Sequence, residues 1–196
     1  MLLDKIKNYQ VYLVSKSPRR HEMLKGMDIP FTYLQTNVKE YHPEGFTPVQ
    51  VAEFLSQHKL SPINVSAYAD NAIFIGCDTI VVYGEHILEK PKDEEEAFRM
   101  LKLLSGNEHN VISGLTVRTS KQSITSHRKT RVRFKEFTES ELHYYIKHYS
   151  PLDKAGAYGI QEWIGYTGID YIEGSFFNVM GLPTQLLWDM LTQVTS

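Results

Sequence analysis

The 196-residue sequence predicts an interleaved α/β or α+β fold. Three observations carry that expectation. Short runs rich in Val, Ile and Phe alternate along the chain with helix-length stretches that open on capping residues. No composition break marks a linker, and no internal repeat or low-complexity segment interrupts the pattern. Hydrophobic residues make up 42% of the chain and charged residues 22%, enough for an ordinary core without staples. A single domain over 1–196 is expected, with any two lobes being continuous parts of one structure.

The elements follow in order. Val11–Val14 reads as a buried strand, and Pro18–Gly26 as a short helix with proline in its first turn. Phe31–Thr36 resembles a second strand, followed by a polar loop over Asn37–Phe46. Thr47, Pro48 and Gln50 form a capping pattern, so a helix runs to about Lys59. Ala72–Tyr83 and Ile87–Leu88 make a hairpin around Gly84-Glu85. Asp93 caps a helix whose apolar face is Ala97, Met100, Leu101 and Leu104, ended by Ser105-Gly106. Asn110–Arg118 and Ser123–Lys135 are two long strands. In the second, Thr130, Val132 and Phe134 share one face, and Lys129, Arg131, Arg133 and Lys135 the other. Thr138 and Glu141 open a helix to Tyr149. Pro183 opens the last helix, with Leu186, Leu187, Met190 and Leu191 on its apolar side.

The totals exclude several classes. A net charge of -2 gives no broad basic field for duplex nucleic acid. Cys77 is the only cysteine, which excludes an intrachain disulfide framework and fits a reducing compartment. No apolar run approaches the roughly 20 residues that span a bilayer. Asp4, Lys5 and Lys7 break the apolar N-terminus, so it does not read as a signal peptide. A cytoplasmic soluble protein without membrane or nucleic-acid partners is expected.

Four stretches could carry chemistry. In Ser15-Lys16-Ser17-Pro18-Arg19-Arg20 a buried strand gives way to a helix. Serine hydroxyls, helix N–H groups and guanidinium forks there suit a phosphate, or a serine cap with two solvated arginines. Asp78 sits inside an apolar run, which is costly unless it is paired, metal-bound or at a strand end. Lys90 follows at the far end of the hairpin. Together they suit either a metal-activated water at a phosphate or a structural ion pair. In Asp153–Gln161 the small residues Ala155, Gly156, Ala157 and Gly159 allow close backbone approach, and Gln161 can read a base edge or a phosphate. Alternatively this is a tight packing loop. Glu173–Pro183 adds Gly181 and Pro183 at a turn into a helix. The histidines show no metal spacing, and there is no GxxxxGK loop or GxSxG elbow.

Taken together, these stretches resemble the Maf family of nucleoside-triphosphate pyrophosphatases over nearly the whole chain. The opening motif is Ser15-Lys16-Ser17-Pro18-Arg19-Arg20, continued by Glu22-Met23-Leu24. The aspartate-threonine motif is Asp78-Thr79-Ile80-Val81-Val82. The lysine-proline pair is Lys90-Pro91, and the leucine-serine-glycine with histidine is Leu104-Ser105-Gly106 and His109. Asp153–Gln161 and Asn178–Pro183 resemble the branch that prefers dTTP and UTP, and the branch acting on 7-methyl-GTP usually carries serine-glutamate in place of Asn178-Val179.

The resemblance implies an elongated, twisted mixed sheet with flanking helices and a substrate cleft between two continuous lobes. It implies hydrolysis of dTTP and UTP to monophosphate and pyrophosphate, a divalent cation (Mg²⁺ or Mn²⁺) and a homodimer. Broader clearance of modified nucleotides, or nucleotide binding without turnover in regulating cell division, are its alternatives. Asp78 matches the catalytic carboxylate that takes a proton from water or holds the metal, and Glu40 an acidic residue that helps bind metal or substrate. Lys59 and Lys90 would neutralise phosphate charge, and Ser15, Ser17, Arg19 and Arg20 would hold the triphosphate. Arg19, Thr79 and Gln161 match positions tied to substrate choice. Three positions depart from the family pattern: Cys77 in place of alanine, Asn107 in place of an arginine after the serine-glycine, and Lys39 in place of a second acid.

Overall fold

The computed structural model describes residues 1–39 and 41–196. In chain order the elements are α1 (Leu2–Ile6), β1 (Gln10–Val14), α2 (Pro18–Gly26), β2 (Thr32–Leu34), α3 (Pro48–His58), β3 (Ala72–Tyr83), β4 (His86–Leu88), α4 (Glu94–Leu104), β5 (Glu108–Arg118), β6 (Ser123–Phe134), α5 (Glu139–Tyr149), α6 (Trp163–Gly168), β7 (Ile169–Glu173), α7 (Phe176–Met180) and α8 (Thr184–Val194). The described strands join one mixed sheet in the order β2-β1-β3-β5-β6-β7, with β4 on β3. The class is therefore α/β, as expected.

Helices announced by a cap start where the cap predicts. Thr47 with Gln50, and Thr138 with Glu141, form complete capping boxes. Asp93 accepts the Glu96 N–H. The strand expected over Phe31–Thr36 is shorter, Thr32–Leu34, because it forms the open edge of the sheet. The stretch Trp163–Met180 holds α6, β7 and α7, none of which the sequence pattern predicts. Each is only five or six residues long, too short for a hydrophobic period to register.

The chain divides into two compact units. The first comprises Met1–Asp78, Ser113–Arg128 and Gly181–Ser196. In it β1 pairs parallel with both β2 and β3, which sets Val14 level with Leu34 and Gly76. Parallel neighbours need crossovers, and α2 and α3 supply them. Tyr12, Tyr68 and Phe74 stack and cross edge-to-face with centroids 4.8–5.2 Å apart, over a core of Val14, Leu60, Ile63 and Ala72. Helix α3 lies unusually close to the strands. A Cβ on Gly76 would collide with Ser56 O and lie 2.8 Å from Leu60 Cγ, and one on Gly114 would strike the Ala52 carbonyl. Leu186, Leu187, Met190 and Leu191 of α8 are buried, as their spacing predicts.

The second unit comprises Thr79–Ile112 and Lys129–Met180. Leu101, Leu104, Val132, Phe134, Leu142, Tyr145 and Ile164 build its core. Phe98 on α4 stacks on His143 of α5 at 4.5 Å. On β6, Thr130, Val132 and Phe134 are buried and their neighbours face outward. Three of the outward cations are matched by acids: Arg131 pairs with Glu173, Arg133 with Asp170 at 3.1 Å and Lys135 with Glu141 at 2.7 Å.

His109 is 1% exposed inside this core. Its Nε2 lies 2.8 Å from Tyr158 Oη, and its Nδ1 has no hydrogen-bond partner among the described residues. An orphaned lone pair costs less than an orphaned N–H, which places the proton on Nε2. Burial lowers this imidazole from 6.5 to about 4. The unfolded ring gains its proton near 6.5, whereas the folded ring stays neutral down to about 4. In that window the unfolded state binds more protons, so stability is lost as pH falls through it. The full effect is about 3 kcal/mol. Urea unfolding at pH 7, 5.5 and 4.5 should show the decline, and His109→Gln should flatten it. Equal slopes in the two proteins would exclude His109 as its source.

Candidate active site

Strand β1 stops at Val14, level with Gly76. Ser15 and the pair Cys77-Asp78 therefore follow the last paired rung on one side of the sheet. The carboxyl ends of parallel strands are where α/β sheets present ligand-binding groups.

The Ser15–Arg20 turn is knitted together from within. Ser15 Oγ is buried and accepts the Ser17 N–H at 3.2 Å and Arg20 Nη1 at 3.3 Å. Arg20 is buried too, and its Nε donates to Gly181 O at 2.7 Å. The same carbonyl accepts Cys77 Sγ at 3.4 Å, and His21 Nε2 donates to Ser15 O at 2.7 Å. Ser15 and Arg20, expected to hold phosphate, thus also fix the turn against Gly181. Ser17 is the N-cap of α2 but its side chain makes no capping bond, and Arg19 is half-buried.

Asp78 meets the demand that its apolar surroundings create. Its carboxylate pairs with Lys59, the C-cap residue of α3. Both side chains are largely buried, at 13% and 15% exposure. Lys59 Nζ also donates to Cys77 O at 3.4 Å, and Thr36 Oγ1 donates to Lys59 O at 3.0 Å. The absent Cβ of Gly76 lets the end of α3 approach β3 closely enough for this pair. Glu40, expected to help bind metal, lies outside the described residues. The residues on either side of it rest on α3: His58 Nε2 donates to Lys39 O at 3.1 Å, and the Tyr41 ring crosses Phe54 and His58 at 5.6 and 5.0 Å.

In the second unit, Thr79 is half-buried on β3 and Lys90 is exposed just beyond β4. Gln161 sits in a turn closed by the Glu162 N–H on Gly159 O at 3.0 Å. Glu162 takes a hydrogen bond from Tyr145 and an ion pair from Lys154 at 3.2 Å. Gly156 has φ +67°, and a Cβ there would press on Val81 at 2.9 Å, so the small-residue run does provide close packing. Asn178 is wholly buried and donates to Val111 O at 3.1 Å and Thr130 Oγ1 at 3.0 Å. Asn107, where the family pattern has arginine, donates to Leu103 O and Ser105 O at the end of α4. Nothing in the sequence singles out Tyr145, Lys154 or Glu162, since a buried polar cluster shows no period.

Among the described residues no group of three or more His, Cys, Asp or Glu side chains is placed to hold a metal ion. One carboxylate, Asp78, fits a Mg²⁺-type cation that takes its remaining ligands from phosphate and water. It does not fit a structural zinc site. No helix of the described residues is long and apolar enough to cross a membrane.

The Maf-like protein family matches residues 10–194. A Porphyromonas gingivalis protein named dTTP/UTP pyrophosphatase is 41% identical over 192 residues, covering 97% of this chain and 96% of its own. Its namesake from Christiangramia forsetii is 42% identical, covering 99% and 98%. Among solved structures, the Staphylococcus aureus Ham1 protein aligns with TM-score 0.44 and 11% identity, over 64% of this chain and 71% of its own. Matched almost end to end, the chain belongs to the Maf-like protein family.

Proposed function

We propose that this protein is a nucleoside-triphosphate pyrophosphatase that hydrolyses dTTP and UTP to the monophosphate and pyrophosphate. The observation that carries the reading is the largely buried Lys59–Asp78 pair just past the last parallel rung between β1 and β3. It stands in a chain whose near full-length relatives are named for that activity.

In this reading water attacks the α-phosphorus and Asp78 takes its proton. A new P–O bond forms as the bond from the α-phosphorus to the bridging oxygen breaks, and pyrophosphate leaves with that oxygen. Lys59, Lys90, Arg19 and the hydroxyl of Ser17 offset the charge that develops on the phosphoryl oxygens. Ser15 and Arg20 keep the turn in shape for them. A divalent cation held by Asp78 and phosphate oxygens, with Glu40 as a second acid, would supply further charge neutralisation. Arg19, Thr79 and Gln161 choose the base. A homodimer in the cytoplasm belongs to the same reading.

Pyrophosphate release across normal and modified nucleoside triphosphates tests the proposal. dTTP and UTP should lead, well ahead of dATP and dGTP. A purine preference would overturn it, and faster turnover of modified nucleotides would favour a clearance role. Asp78→Asn keeps the shape and removes the charge. Its turnover should drop at least about a hundredfold, the scale of a general-base contribution, with an unchanged circular dichroism spectrum. Near-normal turnover would remove Asp78 from the chemistry. Chelation with EDTA should abolish turnover without shifting thermal unfolding, and Mg²⁺ or Mn²⁺ should restore it. Full activity after exhaustive chelation would exclude the metal.

A further inference from the structure

We propose that Tyr145 is a positioning residue for base selection, its single hydroxyl clamping both ends of the turn that presents Gln161 to a base bearing a ring N–H. The inference rests on the pyrimidine reading above and names the group that Gln161 selects.

The turn is Gly159-Ile160-Gln161-Glu162, closed by the Glu162 N–H on Gly159 O at 3.0 Å. Tyr145 comes from α5 and is fully buried. Its hydroxyl accepts the Gly159 N–H at 3.0 Å and donates to Glu162 Oε2. Burial and the neighbouring carboxylate push this phenol well above its usual range, so it stays an O–H donor. The other carboxylate oxygen, Oε1, is held by the buried Lys154 at 3.2 Å, which also pairs with Asp153 at 2.6 Å. Gly159 leaves room for this arrangement, since a Cβ there would lie 2.8 Å from the Glu162 carboxyl carbon. Both ends of the turn are therefore fixed, one through its backbone and one through its side chain.

Gln161 lies between them. Its amide oxygen is buried and has no hydrogen-bond partner among the described residues. A buried acceptor in that state carries a desolvation penalty that a ligand's N–H would relieve. Uracil and thymine carry a proton on N3. Cytosine has a lone pair there, which would face the amide oxygen and repel it. The selected class is thus nucleotides with an imide N–H, and a strong rejection of the mismatch follows from leaving the site's own acceptor unpaired. None of this works if the turn drifts, which is why the clamp matters.

The test is equilibrium binding of the non-hydrolysable α,β-imido analogues of dUTP and dCTP, by titration calorimetry on the full chain. Wild type should favour the dUTP analogue, and Gln161→Ala should remove most of that preference. Tyr145→Phe should cut the dUTP-to-dCTP affinity ratio by about tenfold, the scale of one lost hydrogen bond. Glu162→Gln keeps an oxygen for Tyr145 and should keep most of the ratio, whereas Glu162→Ala should lose it. A general loss of structure would weaken both analogues alike. A wild-type ratio in Tyr145→Phe, or equal weakening of both analogues, therefore overturns the inference. If Tyr145→Phe does not fold, equal ratios in Glu162→Ala and Glu162→Gln overturn it instead. A wild type with no preference between the two analogues overturns this inference and leaves the pyrimidine reading to the purine comparison above; a wild-type preference that responds only to Gln161→Ala also overturns this inference alone.

Discussion

Helix α3 crosses β3 where Gly76 has no side chain, and that contact decides where Lys59 can reach. Any Cβ at Gly76 would occupy the space of Ser56 O and the Leu60 side chain. The helix would have to lift, and the ammonium at its C-cap would lift with it. A second relief point at Gly114 serves the same helix, so its seat is set at two places rather than one. The seat is further tied by Ser56 Oγ to Thr116 Oγ1 at 2.7 Å. Packed interiors transmit such displacements instead of absorbing them. The Lys59–Asp78 pair is therefore a consequence of backbone approach, and only secondarily of the attraction between two charges.

That ordering matters because a buried ion pair is a poor source of stability. Desolvating both ions offsets much of their attraction, and apolar replacements of similar volume are often no worse. Removing one partner alone is costly, on the order of 3–5 kcal/mol, since it strands a charge. A chain that accepts this arrangement just past the last parallel rung of β1 and β3 gains a fixed carboxylate next to a fixed cation. The second unit solves the same problem differently. Glu162 is shared between a neutral phenol and Lys154, and Tyr145 returns the favour by accepting the Gly159 N–H. There the charges serve to fix a turn of backbone, which needs direction more than it needs net attraction.

Much of this was legible in the residues, but unevenly. Pro18, the Thr47–Gln50 box and the Thr138–Glu141 box mark helix starts because capping is a local event. Asp78 stands out as a carboxylate within an apolar run, which is also local. Its partner is not visible from spacing, because the contact spans 19 residues and depends on how α3 sits on Gly76. Arg19 and Arg20 look alike in the sequence. Only the fold turns Arg20 inward onto a carbonyl 161 residues away. The stretch from Trp163 to Met180 carries no legible pattern for a different reason. Gly165, Gly168 and Gly174 break it into pieces shorter than any period, and tertiary packing alone decides their form.

Asn178 and Val179, the pair read from the sequence as resembling one branch of the family, both serve packing within the second unit. Asn178 is wholly buried and spends its amide N–H groups on Val111 O and Thr130 Oγ1. Thr130 in turn donates to Ser175 O and accepts the Ser175 N–H. The asparagine therefore anchors the short α7 segment to β5 and β6. Val179 packs against the core of the same unit. Serine at 178 would be shorter and bring one donor in place of two, so one of those bonds would lapse. Glutamate at 179 would carry a charge toward an apolar neighbourhood, which is unfavourable unless the segment moves. A serine-glutamate pair at these two positions would thus require a different placement of α7.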